Sequence, residues 1–402
     1  MFDRMYHKIG PWSFWCFVLS ICLNAATLFA QDTEDKKKLS DVLSFSGYVK
    51  DLQVLTIAPP EGNITYNFLH NRLNFKYYPS SAFTVALEAR NRIFFGSDIN
   101  RLPDFVDFVD FDNGYFDLTA LVIKENGVLA VMQIDRAWAD WYHGKWQVRI
   151  GRQRINWGKT LVWNPNDLFN TFNFTDFDYE EQPGSDAVKV TYYPTGMSSI
   201  EAAVKPGKSS DETVAAAIWR FNRRNYDLQI LAGSYRTDYA VGIGWAGHIK
   251  NAGFKGEATW FHPKHFSSVN KRVLSATMTI DYSFEKPVYV QAGLLYNQHP
   301  NPDSLGMGTS GFLLGQQLSP KNLMPSDWSF IAQVNSNITP LFQANLAVIQ
   351  TVSPAFTFVM PSLSYSLMDN LDLTLLDQSV FLFTSSKPNS FHSLYLRLKW
   401  SF

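Results

Sequence analysis

Cysteine is almost absent from this 402-residue sequence: Cys16 and Cys22 are its only two, and both lie near the N-terminus. The rest of the chain has no thiol, which excludes disulfides, thiol catalysis and cysteine-based metal sites there. Charged residues make up 18%, against about 25% in ordinary globular chains. The net charge of −1 gives no general attraction to nucleic acid, so no nucleic-acid partner is expected.

Long hydrophobic runs are also missing. Apart from residues 12–30, no apolar stretch reaches the roughly 20 residues that a membrane-spanning helix needs, which excludes a polytopic helical transporter. Aromatic residues, in contrast, are abundant, with 32 Phe, 18 Tyr and 12 Trp. The mean hydropathy is nevertheless only −0.14, because polar residues dilute the apolar ones. The aromatic content excludes intrinsic disorder.

The N-terminus has the order of a secretory signal peptide. Arg4 and Lys8 precede the apolar stretch, and the polar residues 31–35 follow it abruptly. We predict a signal peptide over residues 1–30 with cleavage after Ala30, and therefore an exported protein. Two alternatives are an uncleaved membrane anchor and a lipoprotein, since residues 19–22 partly resemble a lipidation motif.

The remainder of the chain alternates between apolar and polar residues. Leu69, Leu73 and Phe75 share one face of a run, whereas Arg72 and Lys76 take the other. A period of two residues predicts β-strands. The same division recurs to the last residues of the chain.

The length of these runs favours a membrane barrel over a soluble sandwich. Strands of membrane barrels need ~9–11 residues, whereas strands of soluble proteins average ~5–6. About 18 runs are found, and most are of the longer kind. They cover 43–55, 66–78, 82–95, 128–142, 146–153, 187–193, 199–205, 213–222, 226–236, 239–249, 252–262, 272–283, 287–297, 327–336, 341–351, 355–366, 371–382 and 391–402. Aromatic residues such as Trp141, Trp146 and Trp400 stand at the same end of successive runs, as an interfacial girdle requires.

The sequence therefore predicts an all-β fold, a transmembrane antiparallel up-and-down β-barrel of about 18 strands, with 16 as the alternative. The barrel occupies residues 31–402, and residues 31–41 form a periplasmic N-terminal segment. Short turns are expected on the periplasmic rim. The long connections 96–127, 154–186 and 298–326 are expected to be extracellular or folded inward. The expected location is the cell outer membrane.

Two segments resemble known families. The final strand, which ends at Phe402, looks like the signal that the barrel-assembly machinery reads in outer-membrane proteins. Residues 151–158 (GRQRINWG) and 164–170 (NPNDLFN), with 184–186, resemble a motif of porin-like barrels in the Bacteroidota, which are distantly similar to alginate-export-type porins. The resemblance implies an outer-membrane channel, a contact with outer-membrane lipid and a partner in the barrel-assembly machinery.

A basic wall is predicted inside the barrel. The inward parity of two adjacent runs places cationic residues together, and a nearby run adds another. The predicted pore-lining residues are Arg72, Lys76, Glu88, Arg90, Arg92 and Arg149. The alternative is a structural ion-pair network with Glu88 and the loop carboxylates.

The neighbouring long loops supply a candidate constriction or plug. An acidic loop that folds inward opposite arginines creates a strong local field, which is one way in which pores select. The connection after residue 151 is too aromatic for an ordinary loop, so we predict an ordered segment against the lumen wall. The candidate residues are Asp104, Asp107, Asp110, Asp112, Arg152, Arg154, Asn156, Trp157, Asn164 and Asp167. Solvated loop charges, a calcium site and an extracellular cap are the alternatives.

The predicted function is passive diffusion of small polar solutes, anions among them, through a porin-like channel. A conduit with a plugged lumen for lipid or polysaccharide is the alternative. A barrel lipase or protease is less favoured, because no serine elbow stands out in the sequence next to the histidines at or near the loop ends, as such catalysis would require. No enzyme activity, cofactor or metal is expected, and a homo-oligomer is left open.

Overall fold

A computed structural model describes residues 42–58, 62–101, 105–171, 181, 184–267, 271–300, 318–383 and 389–402. The predicted signal peptide and the segment 31–41 lie outside these ranges, as do Asp104 and most of the connection 298–326.

The described residues form one closed antiparallel sheet, in which each strand except β4 pairs with its neighbours in the ring. The strands are β1 (Leu43–Ala58), β2 (Gly62–Ser80), β3 (Phe83–Phe95), β4 (Thr119–Glu125), β5 (Val128–His143), β6 (Trp146–Gln153), β7 (Ser185–Thr195), β8 (Ser198–Lys205), β9 (Val214–Arg223), β10 (Tyr226–Tyr235), β11 (Asp238–Ile249), β12 (Ala252–Pro263), β13 (Val273–Ser283), β14 (Val288–Asn297), β15 (Trp328–Asn337), β16 (Phe342–Thr351), β17 (Phe356–Met368), β18 (Leu371–Leu382) and β19 (Asn389–Ser401). The ring closes because β1 pairs with both β2 and β19. A short helix α1 (Phe105–Val109) and two 3₁₀ helices, Ser97–Arg101 and Ser210–Glu212, lie in the connections.

The barrel wall has 18 strands, because β4 is an addition to the ring rather than a member of it. β3 pairs directly with β5, and β4 pairs only with the first part of β5. This confirms the predicted count of 18 and excludes 16. The sequence prediction missed β4 within the connection 96–127. β6 ends at Gln153 and pairs only with Ala137–His143 of β5, so β4 covers an edge of β5 that would otherwise be unpaired.

The two faces of the sheet have opposite character. On β13, Met278 and Ile280 project outward and are about half exposed, whereas Ser275, Thr277 and Thr279 point inward and are buried. On β19, Leu396 and Leu398 are exposed outward. A soluble barrel would bury its apolar face, so this pattern is the inverse of a soluble fold and the one expected of a barrel that faces lipid.

The two rims differ in the length of their connections. On one rim the strands are joined by tight hairpins, such as that at Arg224 and Asn225, whose φ angles of 53° and 62° are those of a two-residue hairpin turn. On the other rim lie the three long connections. β1 begins and β19 ends at the short-turn rim, where the backbone of Gly47 pairs with that of Phe402.

Large aromatic side chains gather outside this short-turn rim. Trp141, Trp146, Trp400 and Phe402 are each between 41% and 49% exposed. This is the arrangement of an interfacial aromatic girdle. Among the described residues, no helix has the length and apolar character to cross a bilayer.

Candidate functional site

The candidate site is the interior of the barrel, and the predicted basic residues are brought together on its wall. Arg72 on β2 lies directly opposite Arg90 on β3, and His70 lies opposite Arg92. Lys76 and Glu88 share this inward face with Arg72 and Arg90. The inward surface of β2 and β3 therefore concentrates cations, because antiparallel pairing aligns the polar positions of both strands.

Ion pairs link part of this wall. The Arg72 guanidinium contacts Glu88 Oε2 at 2.6 Å and Asp135 Oδ2 at 2.5 Å, and its side chain is 1% exposed. Arg90 Nε lies 3.7 Å from the same Asp135 carboxylate. Arg149 pairs with Asp140 at 3.0 Å on β5, and its guanidinium lies 4.2 Å from the centre of the Trp138 ring. Arg72, Arg90 and Arg149 are therefore ion-paired, but apart from Glu88 their partners are Asp135 and Asp140 of strand β5 and not the loop carboxylates of the expected network.

Several charged members of the wall were missed by the sequence prediction. Asp135 stands at a bulge, where the register between β3 and β5 shifts and a simple alternation fails. Lys50 on β1 faces both His70 and Lys399 on the adjoining strands. The alternation of β19 could have identified Lys399, since it lies opposite the apolar face of that strand.

A long inward-folded segment, residues 154–171, occupies the lumen beside β8–β12. The Trp157 side chain is buried and donates through Nε1 to Glu201 on β8. Gln229 on β10 donates to the Trp157 carbonyl at 2.8 Å, and Thr259 on β12 donates to the Pro165 carbonyl at 2.9 Å. These bonds hold the segment, called the inner segment below, against the wall.

One buried carboxylate anchors the inner segment. Glu257 on β12 accepts backbone N–H groups from Lys159, Thr160 and Asn166, the last two at 2.8 and 3.1 Å. A carboxylate that accepts several N–H bonds satisfies the unpaired backbone of a tight loop. Nothing in the local sequence around Glu257 indicates this role, because its partners lie more than 90 residues away.

The predicted asparagine and aspartate residues of the inner segment shape its backbone. Asn156 Oδ1 accepts the Gly158 N–H at 3.0 Å, and Asn164 Oδ1 accepts the Thr160 hydroxyl at 3.2 Å. Asp167 is fully buried and lies near the Trp157 N–H. Burial raises the pKa of the Asp167 carboxyl well above its usual range, and the nearby Glu257 charge acts in the same direction.

The inner segment also reaches the opposite part of the wall. Val162 and Trp163 are buried in an apolar cluster with Leu295, Ile331 and Phe358, which belong to β14, β15 and β17. Trp157 and Phe169 belong to a separate cluster with residues of β7–β13. The inner segment therefore contacts two sectors of the barrel and narrows the space between them.

The first long connection folds inward as well. Phe105 and Val109 of α1 are buried against Leu52, Phe68 and other inward residues of β1, β2 and β3. Arg92 donates to the Val109 carbonyl at 3.0 Å. One predicted pore residue thus also holds α1 in place.

The acidic residues of this connection do not form one row opposite the basic wall. Asp107 is exposed on α1, and Asp110 follows the helix. Asp112 instead forms a buried cluster with Arg152 (2.8 Å), which also bonds Asp186 at 2.8 Å. Arg152, predicted as part of the constriction or plug loop, instead lies inside β6.

Gly151 explains part of the motif that contains Arg152 and Arg154. Its φ is +113°, and a Cβ at this position would lie 2.2 Å from the Ala137 carbonyl oxygen. Only glycine tolerates both conditions. The Arg154 Nε is buried without a hydrogen-bond partner among the described residues. Within the same residues, no group of three or more His, Cys, Asp or Glu side chains is arranged to hold a metal.

One family model matches part of the chain, and its description names no activity. Residues 134–273 match the family described as "Protein of unknown function (DUF1302)". This range includes the inner segment and Glu257. No curated protein matches the chain.

Solved structures establish the fold class. The chain is similar to OccK8 (OprE) of Pseudomonas aeruginosa, with a TM-score of 0.52 and 12% identity over 90% of this chain and 98% of that one. OccAB4 of Acinetobacter baumannii gives a TM-score of 0.54 at 9% identity, over 90% of this chain and 98% of that one. OpdK of P. aeruginosa with vanillate gives 0.54 at 10%, over 89% and 98%. The chain therefore has the closed 18-stranded fold of these outer-membrane barrels. The expected affinity to Bacteroidota and alginate-export-type porins stays a prediction.

Proposed function

We propose that the protein is an outer-membrane channel for the passive diffusion of small polar solutes, with a preference for anions. The observation that carries the proposal is a barrel whose outside is apolar and whose inside carries an excess of cations. On β1, β2, β3 and β5 the inward cations are Lys50, Arg72, Lys76, Arg90, Arg92 and Arg136, whereas the inward carboxylates are Glu88, Asp135 and Asp140.

The exterior supports a location in a membrane. Exposed apolar side chains cover β11, β13, β15 and β19, and the aromatic girdle borders them on the short-turn rim. Water would penalise such a surface, whereas lipid would not. The outer membrane follows from the barrel fold, and export by a cleaved signal peptide remains part of the proposal.

The excess of cations supports anion preference because ion pairs neutralise only part of it. Arg72 and Arg90 share the single carboxylate of Asp135. Lys76 on β2 and Lys399 on β19 add two further cations to the inward face, where both are half-buried. The similar barrel OpdK has been solved with vanillate, an aromatic carboxylate, which agrees with an anionic class of solute.

The test is single-channel conductance of the purified protein in a planar bilayer with a salt gradient. Stable conducting steps and an anion-favouring reversal potential are expected. The double variant Lys76→Glu with Lys399→Glu should move the reversal potential toward cations, because it reverses two inward charges. Lys250→Glu reverses a single charge in a tight turn outside the lumen and should leave selectivity unchanged. A folded barrel that never conducts would contradict the proposal.

A plugged conduit for lipid or polysaccharide is the second candidate. It is favoured by the burial of Lys50, Arg72 and Trp157, each at most 1% exposed, in the part of the lumen that the inward segments fill. In that case the wild-type protein would not conduct ions, and shortening the inner segment would open the lumen to them. A channel conducts before any such change, so the same bilayer experiment separates the two functions.

A further inference from the structure

The outward surface of the barrel is apolar on most of its circumference. On β11 the outward residues include Val241 and Ile243, and on β15 they include Phe330 and Val334. No Asp, Asn or Gln stands on the outward faces of β11, β13 or β15, all three of which the structure describes in full. These three strands show which side chains the barrel exposes to lipid.

β1, β2 and β3 break this pattern at the height of the apolar band. Their outward faces carry a cluster that we name the polar patch. It consists of Asp51, Gln53, Asn67, Asn71 and Asn91. The outward direction follows from alternation, because each of these residues stands between buried, inward-facing neighbours such as Leu52, Phe68 and Arg90.

Strand pairing brings the members of the polar patch together. Gln53 lies opposite Asn67, and Asn71 lies opposite Asn91. Asn91 Nδ2 donates to Asn71 Oδ1 at 3.0 Å, and Gln53 Nε2 donates to Asp51 Oδ2 at 3.2 Å. Asp51 itself lies between Leu69 and Leu398, both exposed outward, so it is within the apolar band.

The polar patch is incompletely satisfied. The Asn67 side chain has no hydrogen-bond partner in the described part of the chain, and Asp51 has a single one through Gln53. Acyl chains offer neither donors nor acceptors, so polar groups that face them lose the hydrogen bonds that water or protein would provide. The patch therefore requires a covering of protein.

A groove of about 400 Å³ adjoins the polar patch on the same face. Gln53 and Asn67 line it together with outward leucines of β18, β19 and β1, among them Leu375 and Leu394. Farther along β18, beyond Asp377 and Ser379 on the same outward face, Phe381 and Phe383 project from the end of the strand and are 37% and 55% exposed. One face thus carries a depression lined by both amides and leucines, and an apolar projection.

We propose that the face formed by β18, β19, β1, β2 and β3 is the contact surface between two copies of this chain in the membrane. Amide side chains are at once donors and acceptors, so a patch rich in Asn and Gln can bond to another copy of the same face. The groove of one copy can likewise receive the Phe381–Phe383 projection of the other copy. The patch contains no cation, and its one carboxylate can accept from amides of the neighbouring copy.

Cysteine cross-linking tests this contact, because the chain has no cysteine after Cys22. Asn67→Cys is expressed in full-length protein and treated in isolated outer membranes with a short bis-maleimide. A product of an integral multiple of the chain mass is expected. Ile243→Cys, on the outward face of β11, is the matched control and should remain monomeric, as should the parent chain.

A second variant separates an interface from a lipid-facing surface. Asn71→Leu with Asn91→Leu makes the patch apolar, and its folding is checked by the heat-dependent electrophoretic shift of a folded barrel. The folded variant should yield at least fivefold less cross-linked product from the Asn67→Cys position. Unchanged cross-linking of a folded variant would overturn the role of the amides.

Two cross-linking outcomes would overturn the proposal itself. The first is a monomer whose introduced thiol has reacted with the reagent but forms no cross-linked product. The second is a product whose mass corresponds to one copy plus a different protein, which would assign the face to another partner. Conductance is not needed for either reading, so the result is independent of the channel proposal.

Discussion

Single buried carboxylates determine how the inner segment is held. Glu257 collects three backbone N–H groups of this segment, and Asp167 lies in the same buried region near the Trp157 N–H. Two neighbouring carboxyl groups with little access to water disfavour simultaneous ionisation. The attachment of the inner segment is therefore expected to depend on pH.

The Asp167→Asn variant tests this dependence. Because the pKa of the Asp167 carboxyl is raised in the folded protein, its contribution is fully present below the ordinary carboxyl pKa of about 3.9 and is lost as the pH rises toward the folded value. Asparagine keeps an acceptor and removes the ionisation. Thermal unfolding from about pH 4 to about pH 9 should show a smaller loss of stability in the variant. An equal loss in both proteins would exclude Asp167 as the cause.

At the scale of elements, the inner segment behaves as a closed loop that enters the lumen. Its ends meet, because the Ile155 N–H bonds to Asn170 Oδ1 at 3.0 Å. Its side chains complete two apolar clusters of the barrel. The segment can therefore be shortened with little change in the positions of β6 and β7.

Replacement of residues 156–169 by a short Gly-Ser linker should increase single-channel conductance severalfold, because it empties the sector between β8–β12 and β14–β17. The matched control replaces residues 207–212, which connect β8 and β9 without inward contacts to these clusters. The control should conduct like the wild type. Equal conductance of both folded variants would show that the inner segment does not limit the pore.

At the scale of the whole molecule, closure depends on the pairing of the first and last strands. Phe402 bonds to the Gly47 backbone in both directions at 2.9 Å, and its ring packs 5.8 Å from that of Phe45. Replacement of Phe402 by alanine keeps these backbone bonds and removes only the aromatic ring. The effect of the ring on assembly can thus be measured separately from the pairing that closes the barrel.

Phe402→Ala should reduce the amount of folded barrel in the outer membrane severalfold, if the assembly machinery reads the terminal aromatic residue. Phe45→Ala removes the same ring contact but keeps the C-terminus, and it should assemble normally. Folded protein is measured by its heat-dependent electrophoretic shift. Equal assembly of the two variants would contradict the proposed signal.

Local periodicity was sufficient to predict the strands and the direction of their side chains. Each of the 18 predicted runs corresponds to a strand of the ring, and Arg72, Lys76 and Arg90 share the inward face that alternation assigned to them. Alternation succeeds because the side-chain period of a strand is two, whatever the strand's partners are.

Tertiary structure alone decided which charges meet. The bulge at Asp135 places a carboxylate between Arg72 and Arg90. β4 pairs with the edge of β5 that β6 leaves unpaired, and Glu257 bonds to a segment more than 90 residues away. No local pattern encodes these contacts, because they arise from strand register and ring closure. The sequence by itself thus determined a barrel with an apolar outside and a basic interior. The folded chain determined which cations are paired and how far the lumen is filled.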